Sequence, residues 1–153
     1  MRVAFGTDHG GYPLRSLVIE YLKANGHTIV DCGAYELDPL DDYPDFARAV
    51  GDAILRGDAD RGILICGSGV GAAIAAGKMR GIRAGLAHDT YSAHQGVEHD
   101  NMNVLALGGR IIGPEIAKEL VRAFVSAQFS TDARFQRRLD KVNEIEKKQM
   151  QGS

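Results

Sequence analysis

Short runs of consecutive apolar residues alternate along the chain with longer segments in which apolar residues recur every three or four positions. The short runs predict buried strands, and the longer segments predict helices. Strands are expected at residues 2–6, 28–30, 62–66, 83–87 and 104–107. Helices are expected at about residues 13–25, 44–56, 70–78, 89–98, 114–127 and 131–149. Strands that are apolar throughout and alternate with helices are typical of a parallel sheet covered on both faces.

This alternation predicts a doubly wound α/β domain, a three-layer αβα arrangement of the Rossmann-like type with a five-stranded parallel sheet. The 153 residues suit one domain, which we place at residues 1–150, with residues 151–153 as a tail. The last helix follows the strand–helix alternation and carries only a thin apolar stripe. We expect this C-terminal helix to pack on a partner subunit, and a solvated terminal helix is the alternative.

Composition and charge exclude several classes of function. The net charge is −2, which does not favour a nucleic-acid partner. No run of 18 apolar residues is present, so we expect no membrane span. The chain starts on a strand pattern instead of an export signal, and Cys32 and Cys66 are therefore expected to be reduced thiols. These features predict a cytoplasmic protein.

Chemically active side chains follow the predicted strands at their carboxyl ends. Asp8 and His9 follow the first strand, Cys66 closes the third, and Arg110 follows the fifth. In open α/β sheets ligands bind outside the carboxyl ends of the strands, near the point where the strand order reverses. The sequence therefore predicts a candidate site at this edge of the sheet.

Cys66 is followed by a glycine-rich turn and then by an alanine-rich helix. The turn is Gly67-Ser68-Gly69-Val70-Gly71, whose bare backbone N–H groups suit an oxyanion or a phosphate. A helix start favours negative charge, so we interpret Cys66 as a thiolate. The alternative is an inert buried thiol beside a packing turn. The turn is neither a Walker A motif nor a clean GxGxxG motif, so it is not typical of nucleotide binding.

Two further groups of residues are candidates for chemistry. His99 lies in a polar segment before the fifth strand and could act as a general acid or base, although a solvated histidine is the alternative. Asp100 follows it, but no ligand spacing indicates a metal there. Arg134 and Arg138 share one face of the last helix, and with Arg110 they would form a phosphate clamp if the three converge.

The residues resemble a known family. The chain is similar to type B ribose-5-phosphate isomerases and to the allose-6-phosphate and galactose-6-phosphate isomerases. The matching segments are Ala4–Gly11, Asp42–Pro44, Ile65–Gly71, His99–Arg110 and the pair Arg134 and Arg138. The resemblance implies an isomerase of the pentose phosphate pathway that interconverts ribose 5-phosphate and ribulose 5-phosphate, without a metal or another cofactor. It also implies strand order 2-1-3-4-5.

The resemblance implies a role for each matching residue. The thiolate of Cys66 moves a proton between C1 and C2 through a cis-enediolate, whose oxygens are stabilised by the turn from Gly67 to Gly71. The residue His99 donates a proton in ring opening, with Asp8 nearby. The phosphate is bound by the side chains of His9, Arg110, Arg134 and Arg138. Sites are shared across a homodimer, and a tetramer is the alternative assembly.

Two positions bear on how the family pattern applies. Relatives often have asparagine after the histidine, whereas this chain has Asp100, which accepts hydrogen bonds only when ionised. We retain Asp100 as a substrate-binding position. A second lineage replaces the cysteine by a glutamate after the glycine turn, and Ala72 at that position fits the cysteine lineage.

The sequence leaves the substrate open between a pentose phosphate, which we expect, and a hexose 6-phosphate. Two other classes of function are weaker alternatives: a non-catalytic module that binds sugar phosphates, and a nucleotide-binding domain. The second is disfavoured because the glycine turn follows the third strand and no acidic residue closes the second strand in a GxGxxG context.

Overall fold

The structure is a computed structural model and describes residues 1–150. The predicted tail, residues 151–153, lies outside the described residues. The strands are β1 (Arg2–Thr7), β2 (Thr28–Asp31), β3 (Arg61–Cys66), β4 (Ala84–Leu86) and β5 (Val104–Gly108). The helices are α1 (Arg15–Ala24), α2 (Tyr43–Leu55), α3 (Val70–Ala76), α4 (Thr90–Asp100), α5 (Pro114–Ser126) and α6 (Ala133–Gln149). Every predicted strand and helix is therefore confirmed, and a short 3-10 turn at Tyr12–Leu14 precedes α1.

The five strands form one parallel sheet in the order β2-β1-β3-β5-β4. Helices α2 and α3 pack together on one face, and α1, α4 and α5 pack on the other. The predicted three-layer αβα architecture is confirmed. Among residues 1–150, no helix is both long and apolar enough to cross a bilayer.

The order differs from the expected 2-1-3-4-5 at one edge, because β5 lies between β3 and β4. All five residues of β5 are buried, whereas β4 has three residues that are exposed or half-buried. A continuously apolar strand suits the interior of a parallel sheet, and a short strand suits its edge. After β4 the chain returns toward β3 and forms β5 between the two strands. Because the crossover is right-handed, this return places α4 on the face opposite α3. The observed order matters for the site, because β3 and β5 are neighbours and Cys66 is paired with Gly108.

Helix α6 packs on its own chain through apolar residues in its first half and through Glu146 in its second half, whose Oε1 accepts from the Gly81 N–H at 2.8 Å. Phe135 and Leu139 are buried, and α6 contacts α4. Val142 and Ile145, which continue the apolar stripe, are exposed. Packing of this helix on a partner subunit stays a prediction.

The position of β5 inside the sheet can be tested with two matched leucine substitutions. Leu107 of β5 is 0% exposed and Leu86 of β4 is 41% exposed. Replacing Leu107 by alanine should lower the free energy of unfolding by about 2–5 kcal/mol, since a cavity forms in a packed core. Leu86→Ala should cost clearly less. Urea unfolding measures both, and an equal loss in the two variants would contradict the strand order.

Candidate active site

The loops that follow β3 and β5 are joined by backbone hydrogen bonds at the carboxyl edge of the sheet. The Gly109 N–H donates to the Cys66 carbonyl at 2.8 Å, and the Arg110 N–H donates to the Gly67 carbonyl at 3.0 Å. These bonds continue the pairing of the two strands beyond their ends. They bring Arg110 beside the glycine turn that follows Cys66.

The loop after β1 packs against the same glycine turn. Asp8 is buried, and its Oδ1 accepts from the Gly10 N–H at 2.8 Å and from the Gly11 N–H at 3.2 Å. A Cβ atom on Gly10 would lie 2.7 Å from the Gly67 nitrogen, which is too close for any other residue. The Asp8 carboxylate is therefore fixed by its own turn at the edge of the candidate site.

Cys66 lies at the end of β3 with its sulfur held by the turn. The residue is 5% exposed, and its Sγ accepts from the Gly69 N–H at 3.1 Å. Gly69 has a φ of +82° and packs against the Leu107 backbone, so a side chain here would be strained and would clash. The helix α3 begins directly after Gly69, and the first N–H groups of a helix have no partner within it. The Cys66 sulfur therefore has a backbone N–H donor as its hydrogen-bond partner.

A cleft of about 350 Å³ opens above these loops. Its lining residues come from the loops after β1, β3 and β5 and from the start of α2. They are Asp8, Tyr43, Cys66, Gly67, Ser68, Gly71, Arg110 and Ile111. The cleft therefore combines a thiol, a carboxylate and a guanidinium group with a glycine turn.

His9 lies beside the cleft and is paired with an acidic residue. Its Nδ1 is 2.7 Å from Oδ1 of Asp41, which also accepts from the His9 backbone N–H at 3.0 Å. The hydrogen bond that His9 donates to Asp41 raises the pKa of His9, the negative charge of Asp8 adds to this effect, and the positive charge of Arg110 opposes it. The imidazolium form of His9 is therefore favoured near Asp8 and Arg110, which line the cleft.

A second group of candidate residues surrounds the ring of Phe135, and we call it the His99 cluster. The imidazole of His99 stacks on Phe135 with ring centroids 4.0 Å apart, and its Nδ1 is 2.9 Å from Nε2 of Gln95. The guanidinium carbons of Arg134 and Arg138 lie 4.6 and 5.7 Å from the Phe135 centroid. The cluster joins the end of α4 to the first turns of α6.

The predicted site residues thus fall into two groups within one chain. Asp8, Cys66, Gly67, Ser68, Gly71 and Arg110 line the cleft, Gly69 and Val70 belong to the same turn, and His9 lies beside it. The residues His99, Arg134 and Arg138 form the other cluster, and none of them lines the cleft. The three predicted phosphate-binding arginines are therefore not brought together at the cleft of a single chain. The reason is that α4 and α6 do not contribute to its wall.

Asp100 also lies apart from the cleft. It is the last residue of α4, it is exposed, and it lines a groove between β4 and α6. Asn101 follows in the left-handed conformation, with a φ of 51°, and its carbonyl accepts from Nε of Arg83 at 2.6 Å. The end of the helix thus places Asp100 near the exposed surface of α6.

Sequence reasoning missed several residues at these sites, and three of them carry polar side chains. Tyr43 lines the cleft, and its only signal was the Asp42–Pro44 segment of the family pattern at the start of α2. Gln95 lies one helical turn before His99, so its contact could have been found from the helix period. Asp41 belongs to an irregular acidic loop, and no pattern links it to His9.

One group of side chains among residues 1–150 has the spacing of metal ligands, but His9 in this group is already paired with Asp41. Asp8, His9 and Asp41 each offer a ligand atom, and these atoms lie within 4.8 Å of one another. The Nδ1 atom of His9 is hydrogen-bonded to Asp41, so a cation would have to replace that bond.

Comparison with known proteins identifies the family. The sequence profile described as Ribose/Galactose Isomerase matches residues 3–142. Ribose-5-phosphate isomerase B of Escherichia coli is 40% identical over 147 residues, which are 96% of this chain and 97% of that protein. D-erythrulose-4-phosphate isomerase of Pectobacterium atrosepticum is 42% identical over 132 residues, or 84% of this chain and 85% of the relative.

A solved structure is similar over nearly its whole length. Ribose-5-phosphate isomerase B of Clostridium thermocellum superposes with a TM-score of 0.92 at 41% identity, and the match covers 97% of this chain and 99% of that one. The resemblance inferred from the sequence motifs is confirmed. This chain is therefore an isomerase of the ribose/galactose isomerase family.

Proposed function

We propose that this chain interconverts D-ribose 5-phosphate and D-ribulose 5-phosphate, with Cys66 as the base. The observation that carries the proposal is the buried Cys66 sulfur, held by the Gly69 N–H in a cleft that also contains Arg110. The names of the Escherichia coli and Clostridium thermocellum relatives support a pentose phosphate as substrate. A location in the cytoplasm stays a prediction.

The proposed reaction moves protons within the open-chain sugar. The thiolate of Cys66 removes the proton from C2 of the aldose, and the electron pair forms the C1–C2 double bond of a cis-enediolate. The π electrons of the C1 carbonyl move onto O1, and O1 takes the proton that O2 gives up. Return of the proton from Cys66 to C1 gives the ketose.

The glycine turn is proposed to stabilise the charge that develops on the enediolate oxygens. A proton next to a carbonyl is weakly acidic, so the thiolate needs such stabilisation in the transition state. The backbone N–H groups at the turn and at the start of α3 belong to rigid backbone, so they need not be reoriented when charge develops on the substrate. In other enzymes one such donor contributes about 2.7–4 kcal/mol. Ser68 adds a hydroxyl at the exposed side of the turn.

The phosphate is proposed to bind His9 and Arg110 of one chain and the arginines of the His99 cluster from a partner chain. Arg134 and Arg138 are exposed on α6, as a role at a subunit boundary requires. Nδ1 of His99 is hydrogen-bonded to Gln95, so Nε2 is the ring nitrogen that can donate a proton during ring opening. Asp100, next to His99, is proposed to accept a hydrogen bond from a sugar hydroxyl. The assembly is then a homodimer with shared sites.

A sugar phosphate of another length is the second candidate substrate. It is favoured by the relative named D-erythrulose-4-phosphate isomerase, and the matched profile covers ribose and galactose isomerases. A change of one carbinol unit usually brings only modest discrimination.

The chemical role of Cys66 is tested by replacing it with alanine. Loss of the base should lower kcat for ribose 5-phosphate by about 10²- to 10⁴-fold, the range typical of acid–base groups. Formation of ribulose 5-phosphate measures the loss, and circular dichroism checks the fold. Cys32→Ala is the matched control, since Cys32 lies outside the cleft lining. A Cys66→Ala enzyme with nearly normal turnover would exclude the thiol as the base.

Sharing of sites is tested by mixing two inactive variants. Cys66→Ala and His99→Asn should each be inactive alone, and refolding them together should restore about one quarter of the activity. Half of the dimers formed are mixed, and each mixed dimer retains one intact site. The control is the double variant refolded with the unmodified chain, whose mixed dimers have no intact site. Mixed dimers as inactive as their parents would argue against shared sites.

The substrate is tested by kinetics on sugar phosphates of different length. We expect the highest kcat/KM for ribose 5-phosphate when it is compared with allose 6-phosphate and erythrulose 4-phosphate. A higher value for another sugar would reassign the substrate. Thermal stabilisation by ribose 5-phosphate without any turnover would instead indicate a binding module.

A further inference from the structure

We propose that Asp41 is a positioning residue that orients the His9 imidazole toward the phosphate of the substrate and holds it as a cation. The inference rests on the proposed function, because that function places His9 at the phosphate. Asp41 lies in the irregular loop between β2 and α2, 32 positions from His9 in the sequence.

One carboxylate oxygen fixes both the backbone and the ring of His9. Oδ1 of Asp41 accepts from the His9 backbone N–H at 3.0 Å and lies 2.7 Å from Nδ1 of the ring. A carboxylate accepts hydrogen bonds, so Nδ1 carries the proton. The ring is therefore held by its Nδ1 side, and Nε2 is the nitrogen left to donate to a phosphate oxygen. The same arrangement orients ring donors in many other sites.

Because the side chain of Asp41 is largely buried, its carboxylate favours a positively charged partner, which is His9. The Asp41 side chain is 10% exposed, and its Oδ2 is buried with no hydrogen-bond partner in the described part of the chain. A buried carboxylate without a counter-charge is costly. His9 is its ion-pair partner, so protonation of the imidazole compensates the carboxylate charge. The backbone N–H of Asp41 donates to the Asp38 carbonyl at 3.2 Å, which holds the loop in this position.

The charged groups that face His9 are Asp41, Asp8 and Arg110. The Asp41 hydrogen bond raises the pKa of His9, Asp8 adds to the effect, and Arg110 opposes it. Without Asp41, the imidazolium would stand beside the guanidinium with only Asp8 to offset the repulsion. Asp41 therefore offsets the repulsion between His9 and Arg110, so that both cations can bind one phosphate.

The sign of the pH dependence follows from the raised pKa. The imidazolium is fully present below the ordinary histidine value and is lost as the pH rises through the raised value. A phosphate monoester becomes a dianion above about pH 6. Binding should therefore be tightest between these two transitions. Removing the Asp41 charge should move the upper transition to lower pH.

The experiment replaces Asp41 by asparagine, which keeps an acceptor oxygen for the His9 N–H but loses the charge. We expect KM for ribose 5-phosphate to rise about tenfold near pH 7.5, with kcat within about twofold, because the phosphate loses the charge-assisted hydrogen bond from the His9 imidazolium. The rise in KM with pH should begin at lower pH, and the NMR titration midpoint of His9 should fall. Asp41→Glu should restore part of both effects.

The matched control is Asp42→Asn, the same loss of charge one residue further along the loop. Asp42 is exposed, and its side chain makes no cap bond with α2. The control should leave KM and the His9 midpoint unchanged. The inference is overturned if Asp41→Asn behaves like Asp42→Asn in both measurements. Should Asp41→Asn fail to fold, Asp41→Ser, which removes the charge and shortens the side chain, is compared with Asp42→Asn in the same two measurements.

Failure of the proposed function gives a different result. An unmodified enzyme that converts no sugar phosphate would overturn that function, whatever Asp41 does. Inorganic phosphate then serves as the probe, with its Kd measured by chemical-shift titration of His9. Weaker phosphate binding in Asp41→Asn than in Asp42→Asn would support the positioning role, and equal binding would exclude it.

Discussion

Close contact between glycine backbones at the carboxyl edge of the sheet determines the geometry of the cleft. The turn after β1 approaches the turn after β3 so closely that Gly10 has no room for a Cβ atom beside Gly67. The turns after β3 and β5 are joined by the hydrogen bond from Gly109 to the Cys66 carbonyl. Packed backbone has few ways to relax, so the Cys66 sulfur and the N–H groups around it stay in fixed positions. This rigidity is what stabilisation of a short-lived oxyanion requires.

The strand order makes this contact possible. With β5 beside β3, the residues that end the two strands are register partners, Cys66 and Gly108. With β4 in that place, as the order 2-1-3-4-5 has it, Arg110 would begin one strand further away. Because the chain returns from the edge strand β4 to form β5 beside β3, the guanidinium group of Arg110 lies in the same cleft as the Cys66 thiol. The same return sends α4, with His99 at its end, to the opposite face of the sheet.

The sequence predicted the local elements and the thiol turn well because both depend on neighbouring residues. Apolar runs predict strands, and a cysteine before a glycine turn marks the end of one. Strand order depends on which connection between strands passes over a neighbouring position in the sheet. The expected order 2-1-3-4-5 and the observed order 2-1-3-5-4 both fit the same alternation of strands and helices. The length and apolar character of Val104–Gly108 favoured an interior strand over Ala84–Leu86. The pair of His9 and Asp41 was not predictable, since it joins a turn to a distant irregular loop.

The charges at the cleft are consistent with the proposal that a second chain contributes to phosphate binding. Arg110 and the His9 imidazolium bring two positive charges, and Asp8 and Asp41 bring two negative ones. The proposed Cys66 thiolate would add a third negative charge, so the cleft orients donors without strongly attracting a dianion. The proposed sugar phosphate and its enediolate intermediate would be stabilised by further cations. Within the described residues Arg134 and Arg138 are exposed and stack on Phe135 away from this cleft. A second chain that brings them to the cleft would supply the missing attraction, and it would bring His99 along with them.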